Sequence, residues 1–222
     1  MLCETSPSPI ITDWCCAPPA GRLELRTHFF TFREGLARRA EQYADALSVR
    51  NAEMSMMQRI GASEREFLVV KGNVAGTYRL LGQLDQSASM RQDVYLKTLK
   101  LEGEESYDTL REASNYASNL LDLRRFKETK SLLLKVMPVA RRVIGDDSGL
   151  TLKLRINYAV ASCLATGATL DDLREAVTTL EETDRIARRV LGCTHPLVGM
   201  IKTRLRSARK ALRTREPPAE TS

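Results

Sequence analysis

The sequence predicts an all-α protein, a right-handed solenoid of stacked antiparallel helix pairs. It has about three clear repeats, a degenerate N-terminal unit and a C-terminal capping helix. Three observations carry this. A phrase returns at a fixed distance: Asn115-Tyr116-Ala117 recurs as Asn157-Tyr158-Ala159, 42 residues on, with Thr109-Leu110 recurring as Thr151-Leu152 and Gly103 as Gly145 at that offset. The same step backward from Asn115 reaches Asn73, with Ala75, Gly61 and Leu68 where Ala117, Gly103 and Leu110 stand. A period of this length means stacked two-element units, each burying its face on the next. Ala, Leu, Arg and Glu are plentiful while aromatic residues make up only 5%, a helical rather than a sheet composition. Within the units apolar residues fall three and four apart, as in Leu110, Ala113 and Ala117, which gathers them on one helix face.

Taken in order, residues 1–22 read as a flexible leader, because Pro7, Pro9, Pro18 and Pro19 interrupt any helix. Ile10, Ile11 and Trp14 form a short apolar cluster there. Residues 23–60 are helical in pattern but degraded as a repeat. They are expected to form a degenerate first helix pair, weakened at Gly35 by about 1 kcal/mol relative to Ala, that shields the first hydrophobic face.

Residues 61–216 hold the solenoid. Helices are expected at 65–81 and 86–101 in unit one, 107–123 and 127–144 in unit two, and 150–164 and 171–191 in unit three. Ala75, Ala117 and Ala159 mark the closest approach of partner helices, where a larger side chain would force the backbones apart. Phe126, with Leu84 in its place in unit one, plugs the corner between helices. Pro138 should kink the second helix of unit two, since it removes one backbone hydrogen bond. The phrase Ala140-Arg141-Arg142-Val143-Ile144-Gly145 returns as Ala187-Arg188-Arg189-Val190-Leu191-Gly192, 47 residues later. The five extra residues, Thr166 to Leu170, are assigned to a lengthened turn in which Gly167 ends one helix and Thr169 or Asp171 caps the next. After His195-Pro196 a last helix runs to about Arg215. It carries Arg206 where the small alanine stands elsewhere, and basic residues crowd it, as expected of an end cap with a polar outer face. Residues 217–222 follow Pro217-Pro218 as a frayed tail.

Composition narrows the function. No run approaches the ~20 apolar residues that span a bilayer, and the first residues lack a cationic segment followed by an apolar one. Five cysteines, Cys15 and Cys16 adjacent, show no metal-ligand spacing and read as free thiols in a reducing compartment; a cytoplasmic location is expected. The net charge of +6 is a modest bias toward anionic partners. His28 and His195 are the only histidines, and no nucleophile elbow, phosphate loop or metal spacing occurs. The acid pairs Glu104-Glu105 and Asp171-Asp172 sit at helix starts, where they suit the dipole. No enzyme, no cofactor and no small-molecule substrate are expected.

These residues resemble tetratricopeptide repeats, and among them the 42-residue type found in kinesin light chains. Gly192-Cys193-Thr194-His195-Pro196 is similar to the start of that type's linker. Gly103 with Thr109-Leu110, and Gly145 with Thr151-Leu152, match its ends, and Asn73-Val74-Ala75, Asn115-Tyr116-Ala117 and Asn157-Tyr158-Ala159 match the helix motif. The resemblance covers roughly residues 61–205. The leader has no heptads of the kind that join kinesin light chains to their motor, so the resemblance supports the repeat class and leaves cargo and motor open.

The resemblance implies a concave surface lined by the first helices, where Asn73, Asn115 and Asn157 bond the backbone of an extended peptide. An amide offers both donor and acceptor, which suits a peptide group. Residues a turn away extend the row: Arg79, Arg111, Ser118, Asp122 and Lys153, with Arg204 and Lys210 in the last helix. Cations outnumber acids, so a peptide of acidic character is expected. Two alternatives stay open for the asparagines, bonding to the preceding helix or to the inter-unit turn. For the whole protein the alternative is that the basic C-terminal helix binds nucleic acid or another anionic surface. Its scattered cations and lack of interleaved aromatics count against nucleic acid. Self-association through an uncapped end is a further option.

Overall fold

The computed structural model describes the backbone of residues 22–216 and the side chains of residues 41–216. Most of the leader, with Cys15, Cys16 and Trp14, the side chain of His28 and the tail 217–222 lie outside the described residues. Eight helices follow one another: α1 (Arg22–Arg59), α2 (Glu64–Leu80), α3 (Leu84–Glu102), α4 (Tyr107–Asp122), α5 (Phe126–Ile144), α6 (Gly149–Leu164), α7 (Leu170–Leu191) and α8 (Pro196–Arg215). The chain divides into two compact units, Met1–Gln42 and Tyr43–Ser222, and the second carries the repeats.

The pair expected over 23–60 is a single helix, α1. No proline lies between Arg22 and Arg59 and only Gly35 weakens the run. One glycine costs too little to end a helix of 38 residues.

Beyond it the elements fall within two residues of expectation. From α2 on, each helix packs on the next, and α4 also packs on α6, and α6 on α8. Among the described residues no two of α3, α5 and α7 pack so extensively. The first helices α4, α6 and α8 therefore lie on the shorter, inner arc, with α5 and α7 in the outer layer, and ion pairs from Arg65 to Asp108 and from Arg79 to Asp122 join α2 to α4. The repeated glycine closes each pair. Gly103, Gly145 and Gly192 stand at φ +83°, +85° and +82° with ψ of 173°, 161° and 160°, a region that essentially only glycine enters.

The repeat alanines behave as expected: Ala75, Ala117 and Ala159 are fully buried. In unit two, Leu110, Ala113 and Ala117 pack on Leu133, Val136 and Ala140, with Leu150, Leu154 and Tyr158 of the next unit closing the cluster. A second cluster joins Leu152, Ile156 and Ala159 to Ala176, Leu180 and Ala187, and then to Val198, Ile201 and Leu205 of α8.

Of the two irregularities, the insertion resolves differently from expectation. The inter-helix segment grows only from 123–125 in unit two to 165–169 in unit three. Helix α7 has 22 residues against 19 in α5, so three of the five inserted residues lengthen a helix and two the turn. Pro138 does not interrupt α5, which runs unbroken through it. Pro138 and Leu134, whose carbonyl loses its partner, are both exposed, so water can take the orphaned acceptor.

The extra helical turn is held by Asp172. The Asp172 N–H donates to Thr169 Oγ1 at 3.1 Å, and the Thr169 N–H donates back to Asp172 Oδ2 at 3.0 Å. Lys130 Nζ on α5 reaches Asp172 Oδ1 at 2.6 Å. The Lys130 ammonium, then the Thr169 N–H and hydroxyl, hold the Asp172 carboxyl far below its ordinary 3.8. A depressed carboxyl stabilises the fold above its unfolded-state pKa, and that contribution fades as pH falls below about 4. Asp172→Asn is expected to cost about 1–2 kcal/mol at pH 7, from the lost cap and the lost ion pair. In urea titrations the gap to wild type should narrow between pH 6 and pH 3; a gap independent of pH would refute the assignment.

Candidate functional site

Periodicity places the predicted row on one face of each first helix, apart from Arg79 and Lys210. Asn73 is exposed on α2, while Asn115 on α4 and Asn157 on α6 are half-buried. One turn before them stand Val69, Arg111 and Lys153, and two turns after them stand Leu80, Asp122 and Leu164, all on the same helix faces. Lys153 is exposed, as is Arg204, which occupies the asparagine position on α8.

The three amides have different neighbours. Asn157 Nδ2 donates to Ser118 Oγ on the preceding inner helix at 3.1 Å, the first of the two alternatives left open by the sequence. Asn115 Nδ2 reaches Glu112 Oε2 at 3.3 Å, within its own helix. For Asn73 it is the backbone that is engaged: Arg50 of α1 donates to its carbonyl at 2.7 Å and to the Thr77 hydroxyl. Each bonded amide donates through its nitrogen, and no described residue donates to the carbonyl oxygen of Asn115 or Asn157.

The cations of the row are largely paired. Arg79 meets Asp122 across α2 and α4. Arg111 meets Asp108 at 2.7 Å and Glu112 at 3.2 Å. Arg65, which the sequence reading did not single out, spans Glu102 at 3.1 Å and Asp108 at 2.7 Å. The Arg65 hydrogen bond is the main reason that the Asp108 carboxyl lies below its ordinary range. Lys153 and Arg204 have no ion-pair partner among the described residues. Large apolar side chains are exposed on these helices instead: Val69, Leu80, Tyr107, Leu164 and Met200.

Beneath the row lies a charge pair that sequence reasoning missed. Arg91 Nη1 on α3 donates to Glu112 Oε2 on α4 at 2.7 Å, and the two side chains are only 13% and 8% exposed. The guanidinium lies against α2 where two glycines make room. A Cβ on Gly72 would sit 3.1 Å from Arg91 Nη1, and one on Gly76 3.3 Å from Nη2. Burial pushes the Arg91 guanidinium below its ordinary value, with Glu112 opposing. Glu112 thus anchors three helices while accepting from Asn115. The only trace in the sequence is a pair of glycines four apart inside a helix.

Lys210, like Arg79 six residues beyond Asn73, stands apart from the asparagine row. Six residues beyond Arg204, it lies about 120° around the helix, where it lines an open hollow of about 350 Å³ with Arg206, Arg209, Arg213 and Thr214. His195 caps α8, its Nδ1 accepting from the Leu197 N–H at 3.2 Å. Of the thiols, Cys193 is exposed and Cys163 half-buried, burial pushing the latter up to about 11. No helix among the described residues is long and apolar enough to cross a membrane.

No family model matches the sequence, and no curated protein matches it. Among solved structures, a candidate kinesin light chain of Podosopora anserina with nearly identical TPR-like repeats superposes with a TM-score of 0.63 at 18% identity. A variant of that protein, altered by a single Gln-to-Met substitution, gives 0.65 at 18% identity, and each match covers 85% of this chain and 88% of that one. At that identity the likeness speaks for the fold, and the fold is a TPR-like α-solenoid.

Proposed function

From a TPR-like α-solenoid with polar side chains repeated along its inner arc, we propose a non-catalytic scaffold that holds an extended peptide segment of another protein. The observation that carries this reading is the set of amides at equivalent positions on α2, α4 and α6. Successive peptide groups of an extended chain need a donor and an acceptor at intervals, and a ladder of amides supplies both. Asn115 and Asn157 keep their side-chain oxygens for a ligand N–H, and the Asn73 side chain is exposed.

The expected acidic character of the peptide narrows under this reading. Arg79 and Arg111 already have carboxylates, so a ligand acid would be met by Lys153 and Arg204, toward the C-terminal end of the row. Val69, Leu80 and Tyr107 favour apolar side chains at the other end. The proposed ligand is a segment with apolar residues toward α2 and one or two acids toward α8.

The test is selection from a displayed random-peptide library against residues 43–222, followed by calorimetry. Enrichment of such segments is expected. Asn115→Ala with Asn157→Ala should weaken the selected peptides about tenfold to thirtyfold, from two net hydrogen bonds of about 1 kcal/mol each, with helicity unchanged. Unaltered affinity in the double variant would count against the amide ladder, and no enrichment would count against the groove itself.

A further inference from the structure

Among the described residues α8 holds a first-helix position, and no second helix covers its far face. In unit two, Leu110, Ala113 and Ala117 form the face that receives α5, and in unit three Leu152, Arg155 and Ala159 receive α7. The same positions on α8 are Gly199, Lys202 and Arg206, and all three are exposed. Nothing lies within 4 Å of where a Gly199 Cβ would be.

The repeat shows what such a position does when its second helix is present. Lys71 on α2 donates to Asp93 on α3 at 2.6 Å, and Arg155 on α6 donates to Glu182 on α7 at 2.6 Å. These pairs are equivalent: Lys71, Arg155 and Lys202 each stand ten residues after the linker glycine, Gly61, Gly145 and Gly192, and Asp93 and Glu182 each stand nine residues after Leu84 and Leu173, which lie 42 residues before and 47 after the corner residue Phe126. A cation here on a first helix therefore takes a carboxylate from its second. Lys202 carries the cation, and no described residue supplies the carboxylate.

The charge of α8 is concentrated beyond what a polar cap requires. Seven of the chain's 34 Lys and Arg lie between Pro196 and Arg215 with no Asp or Glu; the remaining 27 face 28 acids, a net of −1. The chain's positive bias is thus the property of one helix. Arg206, Lys210 and Arg213, spaced four and three apart, share a face and repel one another. A mixed-charge surface would cap the end without that repulsion. Arg209 is turned aside to Glu181 of α7 at 2.7 Å.

We propose that the open face of α8 is the seat of an acidic amphipathic helix supplied by a partner protein, which completes a fourth helix pair. Lys202 takes the carboxylate equivalent to Asp93 and Glu182, and Arg206, Lys210 and Arg213 meet further acids one turn apart. A helix is favoured over a nucleic-acid strand because the face repeats a helix-receiving surface and carries no aromatic side chain for base stacking.

The probe is a synthetic six-turn helix with Glu along one face and Ala and Leu flanking it, measured by fluorescence anisotropy against the full chain at two salt concentrations. Four controls accompany it: the same composition broken by two prolines, a Lys-for-Glu version, duplex RNA of similar length, and phosphatidylserine vesicles. The Glu helix is expected to bind, and at least tenfold more tightly than the proline-broken form. Lys202→Glu with Arg206→Glu should lose that binding at least tenfold and gain the Lys helix, since rim and core charges set partner choice. Circular dichroism verifies that the variant folds; if it does not, Lys202→Gln should still lose threefold or more. Equal binding of the proline-broken form, tighter binding of RNA or vesicles through the same residues, or no binding of the Glu helix would each overturn the proposal. So would a dimer in sedimentation velocity that dissociates in the double variant, since a second copy would then be the occupant.

Discussion

Glu112→Ala is expected to lower the unfolding free energy by about 3–5 kcal/mol, because it leaves a buried guanidinium without its counter-charge. Arg91 and Glu112 are 13% and 8% exposed, so water cannot replace what the mutation removes. The cavity lies between Gly72, Gly76 and Val94 on one side and α4 on the other. Asn115 and Arg111 lose an acceptor as well. Replacing both partners by apolar residues of similar volume, Arg91→Met with Glu112→Leu, removes the desolvation cost along with the attraction and should be neutral or stabilising. The contrast between single and double variants, read by urea denaturation with circular dichroism, separates an ion pair needed to satisfy its own charges from one that stabilises outright. A loss below about 1 kcal/mol for Glu112→Ala would show that the pair is not the joint of these three helices.

Ala159→Arg should cost at least about 4 kcal/mol, a charge placed where no partner can reach it. Ala159 is fully buried within a cluster that includes Ala176, Leu180 and Ala187 of α7. The chain itself carries the converse case, because Arg206 stands at the equivalent position of α8 and is exposed. Arg206→Ala is accordingly expected to stay within about 0.5 kcal/mol of wild type. In a solenoid each unit contacts only its neighbours, so Ala159→Arg should release α7 and α8 while leaving α2 to α5 in place. Hydrogen exchange should then show protection retained in α4 and lost in α7. A single transition at the wild-type midpoint would contradict the burial argument.

Much of the solenoid was legible in the sequence because the same local chemistry is written several times. Gly103, Gly145 and Gly192 mark the turns, Ala117 and Ala159 the crossing points, and Asn115 and Asn157 the inner face. The degraded stretch 23–60 was not legible in the same way: a fading repeat still suggests a turn, but a turn needs a residue that stops a helix, and none is there. The insertion before α7 was assigned whole to the loop, because Gly167 and Thr169 announce a boundary without saying how many residues the helix takes back. Pro138 lacks its backbone hydrogen bond as expected, but on an exposed face where water can reach the carbonyl.

The candidate site divides along the same line. The sequence by itself determined that the chain is a stack of helix pairs, which residues repeat in it, and that three asparagines share one helix face, since each follows from short-range periodicity. Only the tertiary structure decided how the charges are used. It paired Arg79 with Asp122 at a separation of 43 residues and Arg91 with Glu112 at 21, and it left Lys202, Arg206 and Lys210 on an open face. Charge pairing depends on distances between helices, and those are set by how the small alanines and glycines let the helices approach.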